Sequence, residues 1–145
     1  MPVFVCTTAA GRLSPTQKAE IAETITAIYH EVIGAPRYLV QVFFSSIEPG
    51  SHFIAGSPAP TEQILIRCDT RSGKTSEQRS QMAEKIMQQT SKASGAAEED
   101  VTVLLCELPA ANIVEYGRPS PVAGEEDAWF SSLSKTVQER FKSLS

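Results

Sequence analysis

The sequence predicts an α/β (α+β) fold built as a tandem β-α-β pseudo-repeat. Its core is a four-stranded mixed sheet with two helices on one face, followed by a C-terminal tail helix. Three observations carry this reading. Short apolar runs alternate with long stretches of helical periodicity. Glycine and proline punctuate the boundaries. The order of elements then recurs after about sixty residues, with matching residues at matching positions.

Val3–Thr7 reads as a buried strand. Ser14 supplies an N-cap and Pro15 the first helical position. Ile21, Ile25, Ile28 and Val32 follow at helical spacing, so residues 15–33 form an amphipathic helix. Gly34 stops it and Pro36 prevents continuation. Tyr38–Phe44 is rich in β-formers and reads as a second strand. A turn-rich segment follows, with Pro49, Gly50, Gly56, Pro58 and Pro60. Gln63–Asp69 then reads as a strand, residues 75–94 as a helix with Met82, Ala83 and Ile86 inward, and Val101–Cys106 as a strand. Gly95 ends that helix.

The two halves match residue by residue. Gly11-Arg12 corresponds to Gly73-Lys74, Ala22-Glu23 to Ala83-Glu84, Gly34-Ala35 to Gly95-Ala96, and Gly56 to Gly117. We therefore expect one domain over 1–145, with pseudo-repeats 2–60 and 61–118 and a C-terminal segment 119–145. A crossover helix makes the strands of each unit parallel. Two units can share one sheet with both helices on one side. The other sheet face then needs cover, most simply from another subunit. In the C-terminal segment a loop precedes a short helix around Ser131–Ser143, which Trp129 and Phe130 would dock.

Composition excludes several classes. Apolar content is 41%, which fits a globular domain. No apolar stretch approaches the length needed to span a bilayer, so no membrane partner is expected. Net charge is −4 with scattered basic residues, which argues against a nucleic-acid surface but permits a local cradle for a small anion. The start of the chain lacks a basic region followed by an apolar one, so no export signal is expected. Cys6, Cys68 and Cys106 lie inside apolar runs and read as reduced, buried thiols of a cytoplasmic protein. No metal-ligand spacing and no cofactor motif is seen.

Chemistry centres on Pro2. Removal of Met1 would leave a secondary amine at the head of the first strand. A free α-amino group has a pKa of roughly 7.7–8.0, and an apolar wall lowers it by penalising the charged form. A rigid base near neutral pKa suits general acid–base catalysis. If Met1 is retained, the nitrogen is an amide and the chain is a non-catalytic scaffold. Thr70-Arg71-Ser72-Gly73-Lys74 places two cations in one turn beside the first strand, a cradle for a carboxylate. The competing reading of either cation is a solvated turn residue. Phe43, Phe53 and Leu104 read as core or pocket wall, and Tyr116 as a hydrogen-bond donor or a packing residue.

Pro2, Gly11-Arg12-Leu13-Ser14, Ala35-Pro36 and Ser51-His52-Phe53-Ile54 follow the pattern of the tautomerase superfamily, whose single-unit prototype is 4-oxalocrotonate tautomerase. The doubled length and Val114-Glu115-Tyr116-Gly117-Arg118 more closely resemble the group of cis-3-chloroacrylic acid dehalogenase, over residues 2 to about 133. The resemblance implies a homotrimer with Pro2 in a pocket. It implies that Arg71 anchors a substrate carboxylate and Glu115 positions or activates water. Lys74 stands where the dehalogenase has a second arginine, Tyr29 where the family has a histidine, and Leu104 where the dehalogenase has a tyrosine. Lysine keeps the charge but loses the guanidinium fork. Tyr29 falls on the inner helix face with Ala22, Ile25 and Ile33, which leaves His30 nearer the polar flank.

Two reactions are open at this stage. In the first, neutral Pro2 moves a proton in the keto-enol tautomerisation of a small 2-keto or 2-hydroxyalkenoate acid held by Arg71 and Lys74. In the second, Glu115 activates water for addition to an unsaturated acid such as cis-3-chloroacrylate, and protonated Pro2 delivers the proton. The expected catalytic set is Pro2, Arg71, Glu115 and Tyr29. Lys74, Tyr116, Leu104 and Phe53 are expected to contact substrate.

Overall fold

The computed structural model describes residues 2–144. Met1, whose removal would release the Pro2 amine, lies outside the described residues. The first repeat comprises β1 (Val3–Ala9), α1 (Pro15–Ile33) and β2 (Gln41–Ile47), followed by a hairpin of β3 (Phe53–Ile54) and β4 (Ser57–Pro58). The second comprises β5 (Ile64–Arg71), α2 (Ser76–Ser94) and β6 (Val101–Leu108), followed by a hairpin of β7 (Val114–Glu115) and β8 (Arg118–Pro119). Two short helices close the chain, α3 (Glu126–Ser132) and α4 (Lys135–Ser143).

Both long helices start and stop by the same devices. Ser14 accepts from the Gln17 backbone N–H while the Gln17 side chain bonds back to Ser14; Thr75 and Gln78 repeat this capping box. Gly34 and Gly95 close the two helices with φ of 77° and 73°, a left-handed conformation that costs other residues more. The two hairpins match as well. Ala55-Gly56 and Tyr116-Gly117 both have positive φ at two consecutive residues, the pattern of a type I′ turn. The duplication is thus written into the backbone as well as the residues.

The sheet order is β2-β1-β5-β6. Pairs β1/β2 and β5/β6 are parallel, and the central pair β1/β5 is antiparallel. The mixed sheet therefore arises by joining two parallel units through their first strands. Alternation sorts the side chains. Phe4, Cys6, Ile64, Ile66 and Cys68 are buried against Ile21, Ile25, Met82 and Ile86 of the helices. On the opposite face, register sets Phe43, Val5, Arg67 and Leu104 in one row across all four strands. Phe43 is 52% exposed and Leu104 45%, so this face carries uncovered apolar surface.

Four details differ from the sequence reading. Arg37–Leu39 form a 3-10 turn, so the second strand starts at Gln41 rather than Tyr38. Pro36 opens that turn, and the Gln41 N–H then bonds to the Pro2 carbonyl, which sets the register. The tail forms two helices rather than one, broken where Leu133 inserts into an apolar cluster and Ser134 caps α4. Cys106 is only half-buried, because it points to the uncovered sheet face. Phe43, Phe53 and Leu104, expected in a core or pocket wall, are exposed in this chain. Phe43 and Leu104 lie on the face away from the helices, and Phe53 on the hairpin.

Candidate active site

Pro2 is buried at the head of β1, anchored through its carbonyl to Gln41. The antiparallel partner of Val3 is Asp69, so the chain one step earlier lies beside the end of β5. That end is Thr70-Arg71. Gly73, at φ 118°, turns the chain towards α2 and carries Lys74 back over the sheet end. The C-terminal part of α1 contributes Tyr29 and Ile33, and the hairpin of β7 and β8 contributes Glu115. These groups line a cavity of about 450 Å³, to which Pro121, Glu126, Asp127 and Trp129 of the C-terminal segment add a further wall.

Each polar group has a defined setting. The Tyr29 hydroxyl lies 2.8 Å from Thr70 Oγ1, and burial pushes its pKa up to about 12. Lys74 Nζ donates to the Arg71 carbonyl at 2.5 Å and sits 5.8 Å from the Tyr29 ring centre. Burial lowers the Lys74 pKa; Arg71 and Arg79 add to this, while Glu107 opposes it. Glu115 is 5% exposed, and its Oε1 accepts from Ser120 Oγ at 2.9 Å. Arg71 donates from Nη1 to the Pro121 carbonyl and from Nη2 to Glu126 Oε1, both at 2.5 Å. Burial raises the Glu126 carboxyl pKa, but the Arg71 hydrogen bond and nearby backbone N–H groups outweigh it, so the net shift is downward.

The cavity thus gathers Pro2, Tyr29, Arg71, Lys74 and Glu115. It does not include Leu104, Phe53 or Tyr116 of the same chain. Tyr116 instead packs against Trp129 and Phe141, and its hydroxyl accepts from Gln41. His30 is exposed, 2.8 Å from the Ala35 carbonyl and away from the cavity, as its helix position implied. The acidic wall residues Glu126 and Asp127 went unread in the sequence. Their one signal was an acidic run, Glu125-Glu126-Asp127, directly ahead of a docking tryptophan. Among the described residues, no group of histidine, cysteine and carboxylate side chains is arranged to hold a metal ion. None of the described helices is long and apolar enough to cross a membrane.

A family model described as "Putative oxalocrotonate tautomerase enzyme" matches residues 1–132. The crystal structure of N1, a member of the cis-3-chloroacrylic acid dehalogenase (cis-CaaD) family, superposes with a TM-score of 0.91 at 33% identity, covering 97% of this chain and 99% of that one. The chain belongs to the tautomerase superfamily. Pt0534, solved after inactivation by 2-oxo-3-pentynoate, aligns at 25% identity and a TM-score of 0.74, over 81% of this chain and 94% of that chain. A fused 4-OT solved as an asymmetric trimer shares the fold, with a TM-score of 0.77 at 17% identity over 84% and 98% of the two chains. No curated protein matches. Members of the tautomerase superfamily are enzymes, and the full-length likeness to N1 places this chain among the cis-CaaD-like tautomerases.

Proposed function

We propose that this chain, with Met1 removed, catalyses keto-enol tautomerisation of a small 2-keto or 2-hydroxyalkenoate acid. The observation that carries the reading is one cavity holding Pro2 beside two cations, in a member of a superfamily of tautomerases. Arg71 and Lys74 bind the substrate carboxylate. The neutral Pro2 nitrogen takes the proton from the enol oxygen or the carbon acid and returns it at the other end of the conjugated system. The apolar wall of Ile33, Leu39 and Trp129 opposes protonation of the amine, and the two cations add to this against the pull of Glu115, Glu126 and Asp127 in the same lining. Tyr29, held by Thr70, shapes the floor beneath the substrate. Positioning in the cavity supplies much of the rate.

Glu115 favours a second reading of the same site. It is a buried carboxylate lining the cavity, and the N1 structure belongs to the cis-CaaD family. In that reading Glu115 activates water for addition to an unsaturated acid, and protonated Pro2 delivers the proton to the neighbouring carbon.

A trimer accompanies either reaction. The uncovered row of Phe43, Val5, Arg67 and Leu104 supports assembly through the sheet face. A role for Leu104 or Phe53 at a site requires a neighbouring copy, because neither reaches the cavity of its own chain. Intact mass and a Pro2→Ala variant test the reaction. Loss of one methionine, and a fall of about 10²–10⁴-fold in enol ketonisation by Pro2→Ala, support Pro2 as the base. Retained Met1 would point to a scaffold protein, and undiminished ketonisation by Pro2→Ala would exclude Pro2 as the base. Screening cis-3-chloroacrylate against keto-enol acids decides between the two reactions.

A further inference from the structure

The guanidinium proposed to hold the substrate carboxylate already holds one. Both Nη atoms of Arg71 are engaged by the C-terminal segment, through the Pro121 carbonyl and the Glu126 carboxylate. Glu126 is no loosely tethered side chain. Its second oxygen accepts from the Gly124 N–H at 2.8 Å. Three residues on, Trp129 is buried, and its indole N–H bonds to the Pro119 carbonyl at 3.0 Å. Trp129 in turn belongs to a cluster with Leu39, Leu133 and Phe141. The carboxylate is thus delivered to Arg71 by an anchored segment. The pair is partly buried, with side-chain exposures of 19% for Arg71 and 32% for Glu126.

Charge around the cavity follows the same pattern. Arg71 and Lys74 face three carboxylates in the lining, Glu115, Glu126 and Asp127. A ligand that brings one carboxylate displaces Glu126 from the guanidinium and leaves that side chain's charge close by. A ligand that brings two must place its second charge among the three carboxylates of the lining. Selectivity of this kind comes from a repulsive element as much as from an attractive one.

We propose that Glu126 is a specificity-determining residue: it occupies Arg71 in the free protein, an incoming carboxylate must displace it, and its charge disfavours ligands with two carboxylates. This rests on the reading of Arg71 as the carboxylate anchor.

Calorimetric titration of the full chain with acrylate, fumarate and acrylamide tests it, using wild type, Glu126→Gln and Arg71→Gln. Glu126→Gln should bind acrylate about tenfold more tightly than wild type, and fumarate should gain more than acrylate. Acrylamide, which carries no charge, should not change. Unaltered or weaker acrylate binding by Glu126→Gln would overturn the proposal, since Glu126 would then orient Arg71 rather than compete at it. Equal gains for acrylate and acrylamide would also overturn it, because charge could not be the cause. Acrylate binding that survives intact in Arg71→Gln would instead remove the anchor reading itself. Circular dichroism verifies that each variant is folded, and Glu126→Ala, which should show the same order of gains, stands in if Glu126→Gln is not.

Discussion

The hydroxyls of Tyr29 and Thr70 lie 2.8 Å apart beneath the cavity floor, joining the last turns of α1 to the end of β5. Both side chains are buried, Thr70 to 1% exposure and Tyr29 to 3%. Tyr29→Phe removes one partner and leaves the Thr70 hydroxyl without this bond. Expected is a loss of about 1–2 kcal/mol in stability, measured by urea unfolding. A floor role predicts that kcat for tautomerisation falls less than tenfold, whereas a proton-transfer role for Tyr29 requires a much larger drop.

Lys74 sits in an environment that lowers its pKa, chiefly through burial. A lowered pKa means that the ammonium loses its proton at a less alkaline pH than an exposed lysine does. Affinity for a carboxylate substrate should therefore weaken as pH rises towards that lowered value. Lys74→Arg should keep its charge and extend the alkaline limb of the KM profile upwards, since guanidinium stays protonated. A KM profile identical in the two proteins would remove Lys74 from substrate binding.

Three buried acids resist ionisation. Burial raises Cys6 to about 11, and Cys68 and Tyr29 to about 12. A raised folded-state pKa contributes stability that is fully present below the unfolded value and is lost as pH rises through the folded one. The unfolded values are 9.0 for the thiols and 10.0 for the phenol. Stability should therefore decline steadily above about pH 9, and urea midpoints at about pH 8 and 10.5 would measure the fall. Cys68→Ala should flatten that slope even if it lowers stability overall. The same burial predicts that, in an unassembled chain, a thiol reagent at pH 8 labels Cys106 before Cys6 or Cys68.

Ala55 occupies a left-handed position, φ 51°, at the first turn residue of the β3/β4 hairpin. Its neighbourhood is exposed, so packing does not constrain the choice of residue. Ala55→Asn should stabilise the protein by about 0.5–1 kcal/mol, because asparagine tolerates this conformation. Thermal denaturation measures it; an unchanged or lower midpoint would show that strain at this turn is negligible.

Phe43 lies on the uncovered sheet face. If copies meet there, Phe43→Glu should convert a trimer to monomers in light scattering, leaving the fold intact by circular dichroism. A trimer of unaltered stability in this variant would place the interface elsewhere.

Most of the backbone was legible from local chemistry. Ser14-Pro15 and Thr75 marked where the helices start, Gly34 and Gly95 where they stop, and the spacing of Ile21, Ile25 and Ile28 showed which face turns inward. These signals act over a few residues, so a reader of the chain can recover them. The Tyr38 boundary was missed because β-forming residues sit in a turn imposed by Pro36. The break at Leu133 was missed because it answers to a cluster assembled from three distant segments.

The sequence by itself determined the duplication, the helix ends, the alternation that splits the sheet into a covered and an uncovered face, and the position of Pro2 at the head of a strand. Only the tertiary structure decided that Arg71 would meet Glu126, fifty-five positions later in the chain, and that Glu115 would be buried facing the same cavity. Caps and periodicity follow from backbone geometry within one or two turns. Which charge faces which depends on how Trp129 and Phe141 dock the tail, and no local pattern encodes that packing.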